Sequence, residues 1–240
     1  MEAYAFTDKG KVRSMNQDFI YCTNHAIGDL PNMYIVADGM GGHSAGDFAS
    51  RFCVEEFIRR IEQDDAETII SGIRTALEKT NQALWQKAVT VPELEGMGTT
   101  FVGACIKDNI LYVVNIGDSR LYTIGETIQQ ITEDHSFVEE MVKRGELQRN
   151  EVRFHPNKNV ITRAVGTTNT LELDFFEVPL EKESLILLCS DGLSNMVEDS
   201  EIQRIVMEQK ENLEQAVHDL VEIANENGGK DNISVILIRN

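Results

Sequence analysis

The chain has 240 residues, 42% of them hydrophobic, enough for a real core, and its four prolines are scattered with no Gly/Ser-rich or charge-block linker between them. Lys plus Arg number 22 against 40 for Asp plus Glu, a formal charge of -18, so most of the surface repels nucleic acid. The expectation is one domain over residues 1–240, in which a phosphate ester can bind only where metal ions or a few placed arginines invert the local field.

Short strand-like runs come first, at Ala3 to Phe6, Phe19 to Cys22 and Met33 to Ala37. Helical periodicity follows in Ala49, Cys53, Phe57 and Ile61, then in Ile69, Ile73, Leu77 and Leu84. Asp64-Asp65 separates this pair and puts negative charge at the start of the second helix. Strands are expected at Thr99 to Ile106, Ile110 to Ile116 and Leu121 to Ile124. Asp108-Asn109 marks a tight hairpin, because both residue types tolerate the left-handed conformation, and the Gly117-Asp118 corner suits another.

A helix is expected from Phe137 to Arg144, opening a stretch from Ser136 to Val165 that then loses periodicity and gains charge. Further strands are expected at Val160 to Ala164, Leu171 to Val178, Leu185 to Cys189 and Ile233 to Ile238. Two helices precede the last of these, over about Asp199 to Gln209 and over Leu213 to Ala224 with Asn212 as N-cap. The order does not alternate strictly, and several strands are apolar on both faces. That predicts an α+β fold with two mostly antiparallel sheets packed together and helices on their outer faces.

Cys22, Cys53, Cys105 and Cys189 lack Cys-x-x-Cys spacing and read as reduced thiols. The N-terminus has no basic leader, and no apolar run approaches the roughly 18 residues of a membrane span. A cytoplasmic protein without membrane attachment is expected.

Aspartates stand at the edges of the apolar runs, in Asn16-Gln17-Asp18, Asp38-Gly39-Met40-Gly41-Gly42-His43, Gly117-Asp118-Ser119-Arg120, Ser190-Asp191-Gly192 and Lys230-Asp231-Asn232. Any one alone is a common turn residue. Five carboxylates converging on one mouth would repel severely without cations between them. Oxygen ligands without a His or Cys cluster suit Mg2+, Mn2+ or Ca2+ rather than zinc or copper, and a pair of such ions is a known clamp for displacement at phosphorus.

Together with Arg13 and Gly96-Met97-Gly98-Thr99-Thr100, these motifs resemble, in order and spacing over essentially the whole chain, the metal-dependent serine/threonine protein phosphatases of type 2C, particularly their compact bacterial members. The resemblance implies a four-layer sandwich with a flap insertion at about 136–165 and two to three Mn2+ or Mg2+ ions. It makes Asp38 the bridge between two ions, with Asp191, Asp231 and the Gly39 carbonyl completing that centre. Asp18 would act mainly through metal-bound water, and Asp118 would hold a third ion with Asp191. A metal-bridging hydroxide would attack phosphoserine or phosphothreonine directly while Arg13 grips phosphate oxygens. The implied partners are phosphorylated proteins, including a serine/threonine kinase and its substrates, and a monomer is expected.

Many eukaryotic members carry a histidine directly after the Asp-Gly pair, where this chain has Met40; His43 is the nearest substitute. His43 reads either as a catalytic general acid or orienter of metal-bound water, or as a helix-entry histidine bonded to backbone. From Lys143 to Arg163 the flap holds six Lys/Arg against Glu146 and Glu151, a local charge of +4, and Arg149 and Arg153 are candidate substrate-binding residues. Gly42-His43-Ser44-Ala45-Gly46 matches a nucleophile elbow, which offers a serine hydrolase using Ser44 as an alternative. A silent metal- or partner-binding module on the same fold is another. No nucleotide-binding glycine loop is present.

Overall fold

The computed structural model describes residues 1–42 and 44–240. Its first sheet has strand order β1-β11-β10-β7-β8, formed by β1 (Glu2–Asp8), β7 (Arg120–Ile124), β8 (Ile128–Gln130), β10 (Leu185–Cys189) and β11 (Ile233–Arg239). The second has order β2-β3-β5-β6-β9, formed by β2 (Asp18–Thr23), β3 (Met33–Met40), β5 (Phe101–Lys107), β6 (Ile110–Ile116) and β9 (Asp174–Pro179), with the short β4 (Gly98–Thr99) added to β3. Every pairing among these strands is antiparallel.

Period-two alternation builds the layers. In β3, Met33, Ile35 and Ala37 pack outward against α1 (Ala45–Gln63) and α2 (Ile69–Thr90), while Tyr34 and Val36 face the other sheet. In β10 and β11, Leu187, Cys189, Val235 and Leu237 pack against α5 (Asp199–Glu208) and α6 (Leu213–Glu226), while Ile186, Leu188, Ile236 and Ile238 fill the space between the sheets. Burial on both faces is why these strands read as continuous apolar runs. The result is the expected helix–sheet–sheet–helix sandwich.

The helix pairs fall where periodicity put them, and Asn212 caps α6 by accepting from the Gln215 N–H at 3.1 Å. The start of α2 differs. Thr68 and Ser71 form a capping box there, its first turn has no acidic residue, and Asp64 ends α1 instead, paired with Lys79 at 2.7 Å.

Asp108 and Asn109 turn between β5 and β6 with φ of 51° and 60°, as expected of a tight hairpin. Gly117-Asp118 does not. β6 and β7 lie in different sheets, and Gly117, at φ 108°, turns the chain across the sandwich.

Val160 to Ala164 is not a strand. Its neighbour is the short helix α3 (Phe137–Lys143) rather than a free sheet edge, so no ladder can run. The Phe137 N–H donates to the Val160 carbonyl, the Thr162 N–H to the His135 carbonyl, and isolated bridges join Ile161 to Ser136 and Val165 to Thr99. β9 begins at Asp174 rather than at Leu171.

Candidate metal centre

The two sheets are apolar between them until one end, where the same rows continue as polar side chains. Asp38 follows Tyr34 and Val36 on the inner face of β3, Asp18 precedes Ile20 on β2, and Ser190 and Ser234 extend the inner rows of β10 and β11. Asp18 and Asp38 are register partners across β2 and β3. Like charges placed opposite each other destabilise a sheet.

A cleft of about 210 Å3 opens at this end, lined by Asp38, Gly39, Asp118, Asp191, Asp231 and Arg13 among others. Four of the predicted carboxylates therefore share one wall system. Asp18 lies a layer behind it and is buried. Arg149 and Arg153 line a neighbouring cavity instead. His43 lies outside the described residues.

The backbone holding Asp38 is gripped from both sides. Its N–H donates to Thr100 Oγ1 at 2.8 Å, and its carbonyl accepts from the Thr100 N–H at 2.9 Å and from Thr99 Oγ1 at 2.9 Å. Thr100 Oγ1 also bonds Ser119 Oγ at 2.8 Å, which ties the Asp118 corner to the same strand. The Gly-Met-Gly-Thr-Thr motif thus acts as a clamp on Asp38.

Asp18 is fixed through one oxygen. Ser190 Oγ and Ser234 Oγ donate to its Oδ2 at 2.8 and 2.7 Å, so strands of one sheet hold a carboxylate of the other. Asn16 Nδ2 donates to Thr7 Oγ1, whose hydroxyl meets Ser234 Oγ at 2.7 Å, so the hydroxyl protons run toward Asp18. Asp18 Oδ1 and Asp191 Oδ1 are buried and accept no hydrogen bond within the protein. Asp191 Oδ2 accepts from Asn195 Nδ2 at 2.9 Å.

Two glycines bring the segments together. A Cβ on Gly192, in the short helix α4 (Asp191–Ser194), would overlap the Asn232 carbonyl oxygen, and one on Gly39 would overlap the Gly46 carbonyl at the start of α1. Asn232 then organises the N-terminal loop, donating to the Lys9 and Met15 carbonyls at 2.9 and 3.0 Å and accepting from the Gln17 N–H at 2.8 Å. That loop carries Arg13, which donates from Nη2 to Asp231 Oδ2 at 2.7 Å.

Behind Asp118, His135 clamps both peptide groups of Gly117: its N–H donates to the Gly117 carbonyl at 2.9 Å, and its Nδ1 accepts from the Gly117 N–H at 3.1 Å. Nδ1 is therefore unprotonated, and Nε2–H faces Asp174 Oδ2 at 2.9 Å. Burial holds the His135 pKa below its ordinary value, which keeps the ring neutral.

The carboxylates strain against one another. Burial pushes Asp18 up to about 7, against the two serine hydrogen bonds, and Asp191 and Asp231 add repulsion. Burial and then Asp231 push Asp191 up to about 6. Asp38 is raised well above the ordinary range by burial and by Asp18, Asp191, Asp118 and Asp231, and Asp118 by burial, Asp191 and Asp134.

Orphaned buried oxygens and mutually raised carboxyls are what a cation site looks like before the charge arrives. Among the described residues no three Asp, Glu, His or Cys side chains form a ready-made coordinating group. Mg2+ and Mn2+ do not demand one, since hard octahedral ions keep several waters beside one or two carboxylates and a carbonyl. The donor set fits.

Residues 9–237 match the family model described as protein phosphatase 2C. The chain belongs to the protein phosphatase 2C family. The serine/threonine phosphatase stp of Listeria innocua is 38% identical over 246 residues, covering 99% of this chain and 95% of that protein. The crystal structure of serine/threonine phosphatase Stp1 from Staphylococcus aureus superposes with a TM-score of 0.91 at 34% identity, covering 100% of this chain and 94% of that one. The catalytic domain of the serine threonine protein phosphatase PstP, solved in complex with two manganese ions, superposes with a TM-score of 0.84 at 31% identity over 98% of this chain and 96% of that one.

The elbow reading finds no support in this geometry. β3 runs on to Met40, and Ser44 stands at the N-cap position of α1 with φ -91° and ψ 2°, several residues past the strand end, so the sharp strand-to-helix turn of an elbow nucleophile is absent. The last histidine, His218, is bonded to Tyr4 and packed against Phe6 on α6.

The supporting groups Ser190, Asn232, Thr99 and Thr100 sit inside the motifs quoted from the sequence, and Ser234 two residues beyond one of them, but their hydrogen-bonding roles depend on which strands become neighbours. His135 stands in none of those motifs.

Proposed function

We propose that the metal-dependent serine/threonine phosphatase activity of this chain resides in the Asp38 cleft, with residues 1–240 working as one catalytic domain and 136–165 as its flap. Asp38 would bridge two divalent ions, Asp191, Asp231 and the Gly39 carbonyl would complete their protein ligands, and Asp118 with Asp191 would hold a third. The observation that carries this reading is the convergence of Asp38, Asp118, Asp191 and Asp231 on one cleft, with a buried Asp191 oxygen left without a donor.

Bound there, Mn2+ or Mg2+ would neutralise the carboxylates, polarise the phosphoryl group and lower the pKa of a water toward neutrality. The protein's own part is charge placement and support. Arg13, half exposed at the rim, offers a planar fork to phosphate oxygens, and its hydrogen bond to Asp231, with that carboxylate's charge, raises its pKa further and holds it close. Asp18, one layer back, would orient metal-bound water, held in place by Ser190 and Ser234. His43 remains the candidate for proton delivery to the leaving oxygen. Arg149 pairs with Glu139 through both terminal guanidinium nitrogens, and Arg153 bonds the Ser194 and Val197 carbonyls and Glu198. These two would serve substrate binding by fixing the flap rather than by reaching the phosphate.

The partners are phosphorylated proteins, among them a serine/threonine kinase and its targets, met by a monomer in the cytoplasm of a bacterium. No helix of the described residues is long and apolar enough to cross a membrane. Calorimetric titration of Mn2+ into metal-stripped protein tests the ligand set. Two tighter sites and one weaker site are expected, and Asp118→Asn should remove only the weaker; loss of all binding in that variant would overturn the assignment.

A further inference from the structure

The flap's positive charge is mostly spoken for. Of its six Lys and Arg between 143 and 163, Lys143 pairs with Glu133, Arg144 with Glu140, Arg149 with Glu139, Arg153 with Glu198, and Arg163 with Glu172 and Asp174. Lys158 alone has no ion pair or side-chain hydrogen bond among the described residues.

Its position is defined by backbone bonds. The Lys158 N–H donates to the His155 carbonyl at 3.2 Å, the Val160 N–H to the Asn157 carbonyl at 3.1 Å, and Ile161 bridges to Ser136. Lys158 is partly buried and lines a cavity of about 290 Å3 beside the metal cleft, the two sharing Asp118 and Asp191 as their dividing wall. Just after Lys158 the lining changes sides: Asn159 and Ile161 border the metal cleft itself. A peptide with its phosphate in that cleft would lie beside this segment, and at about 3.3 Å of rise per extended residue a neighbouring side chain would come within reach of the second cavity.

The charges facing that cavity are accounted for. Asp134 is held by Arg120, Glu139 by Arg149 and Glu198 by Arg153, Asp199 accepts from the Tyr122 hydroxyl at 3.3 Å, and Asp118 and Asp191 belong to the ion site. The unmatched cation is Lys158. A partly buried ammonium that lacks a contact ion pair gains from an anion brought directly against it.

We propose that Lys158 selects substrates that carry an anionic residue, a carboxylate or a second phosphate, beside the phosphorylated serine or threonine. This rests on the placement of the scissile phosphate in the Asp38 cleft. The test is initial-rate kinetics with Mn2+ on phosphothreonine peptides that differ only at the flanking position, carrying Ala, Glu or a second phosphothreonine, with para-nitrophenyl phosphate as a substrate that has no flank.

Wild type should show a KM about 5-fold lower for the anionic flanks than for Ala, the size of a partly exposed ion pair. Lys158→Gln should erase that ratio and Lys158→Glu should invert it, while both leave the aryl phosphate unchanged. Discrimination for the Glu flank as well as the phosphorylated one assigns the site to any anion; discrimination for the second phosphate alone narrows it to that group. An unchanged ratio in Lys158→Gln, or an equal effect on all four substrates, would overturn the proposal. A wild-type protein inert toward every substrate would instead overturn the underlying site assignment, and this proposal with it.

Discussion

Asp18 and Asp38 stand directly opposite each other across β2 and β3, on the face that looks between the sheets. Two carboxylates in that register cost stability wherever both are ionised. The chain invests heavily in keeping them there: serines of the other sheet hold Asp18, and Thr99 and Thr100 hold the Asp38 backbone. Such support is expected of a site organised for cations.

The stability of the ion-free protein should depend on pH in an unusual direction. Asp18 is pushed up to about 7 from an ordinary value of 3.8, so the folded state binds that proton more tightly than the unfolded chain does. This contribution is full below about pH 4 and is lost as pH rises toward about 7. In EDTA, the melting temperature should fall between about pH 5 and 7.5, the Asp18→Asn variant should fall less steeply, and Mn2+ should raise it most at the upper end. An identical slope in Asp18→Asn would contradict this.

Thr100→Val keeps the shape of a buried side chain but removes the acceptor of the Asp38 N–H and the partner of Ser119. It should destabilise the protein by about 1–3 kcal/mol, the cost of an unsatisfied buried group, and lower kcat more than it changes KM. Urea unfolding and steady-state kinetics read the two effects separately.

Gly192→Ala should be the more damaging of the conservative changes. The added methyl would overlap the Asn232 carbonyl oxygen, which is backbone and cannot turn aside. Separation of Asp191 from the Asp231 segment should weaken Mn2+ binding at least about tenfold, a difference of about 1.4 kcal/mol. Calorimetry on the folded variant measures it.

Much of this was legible in the chain. Continuous apolar runs such as Ile110 to Val114 announce strands buried on both faces, and the aspartates at their ends announce a shared mouth. What failed was whatever depended on neighbours. Gly117-Asp118 has hairpin composition, yet it crosses between sheets because β7 pairs with β10 rather than with β6. Val160 to Ala164 has strand composition but meets α3 and no sheet edge. Charge counting over the flap gives +4, but it cannot tell that the arginines are paired and that Lys158 is not. Asn232 and the serines at 190 and 234 gain their meaning only once three distant segments are packed together.

The central claim is that Asp38 organises the ions on which turnover depends. The direct measurement is hydrolysis of a phosphothreonine peptide by wild type and Asp38→Asn across a Mn2+ titration. Wild type should turn over in proportion to Mn2+ occupancy, and Asp38→Asn should lose at least about 1000-fold, not recovered at high Mn2+. Turnover within about tenfold of wild type in Asp38→Asn would contradict it.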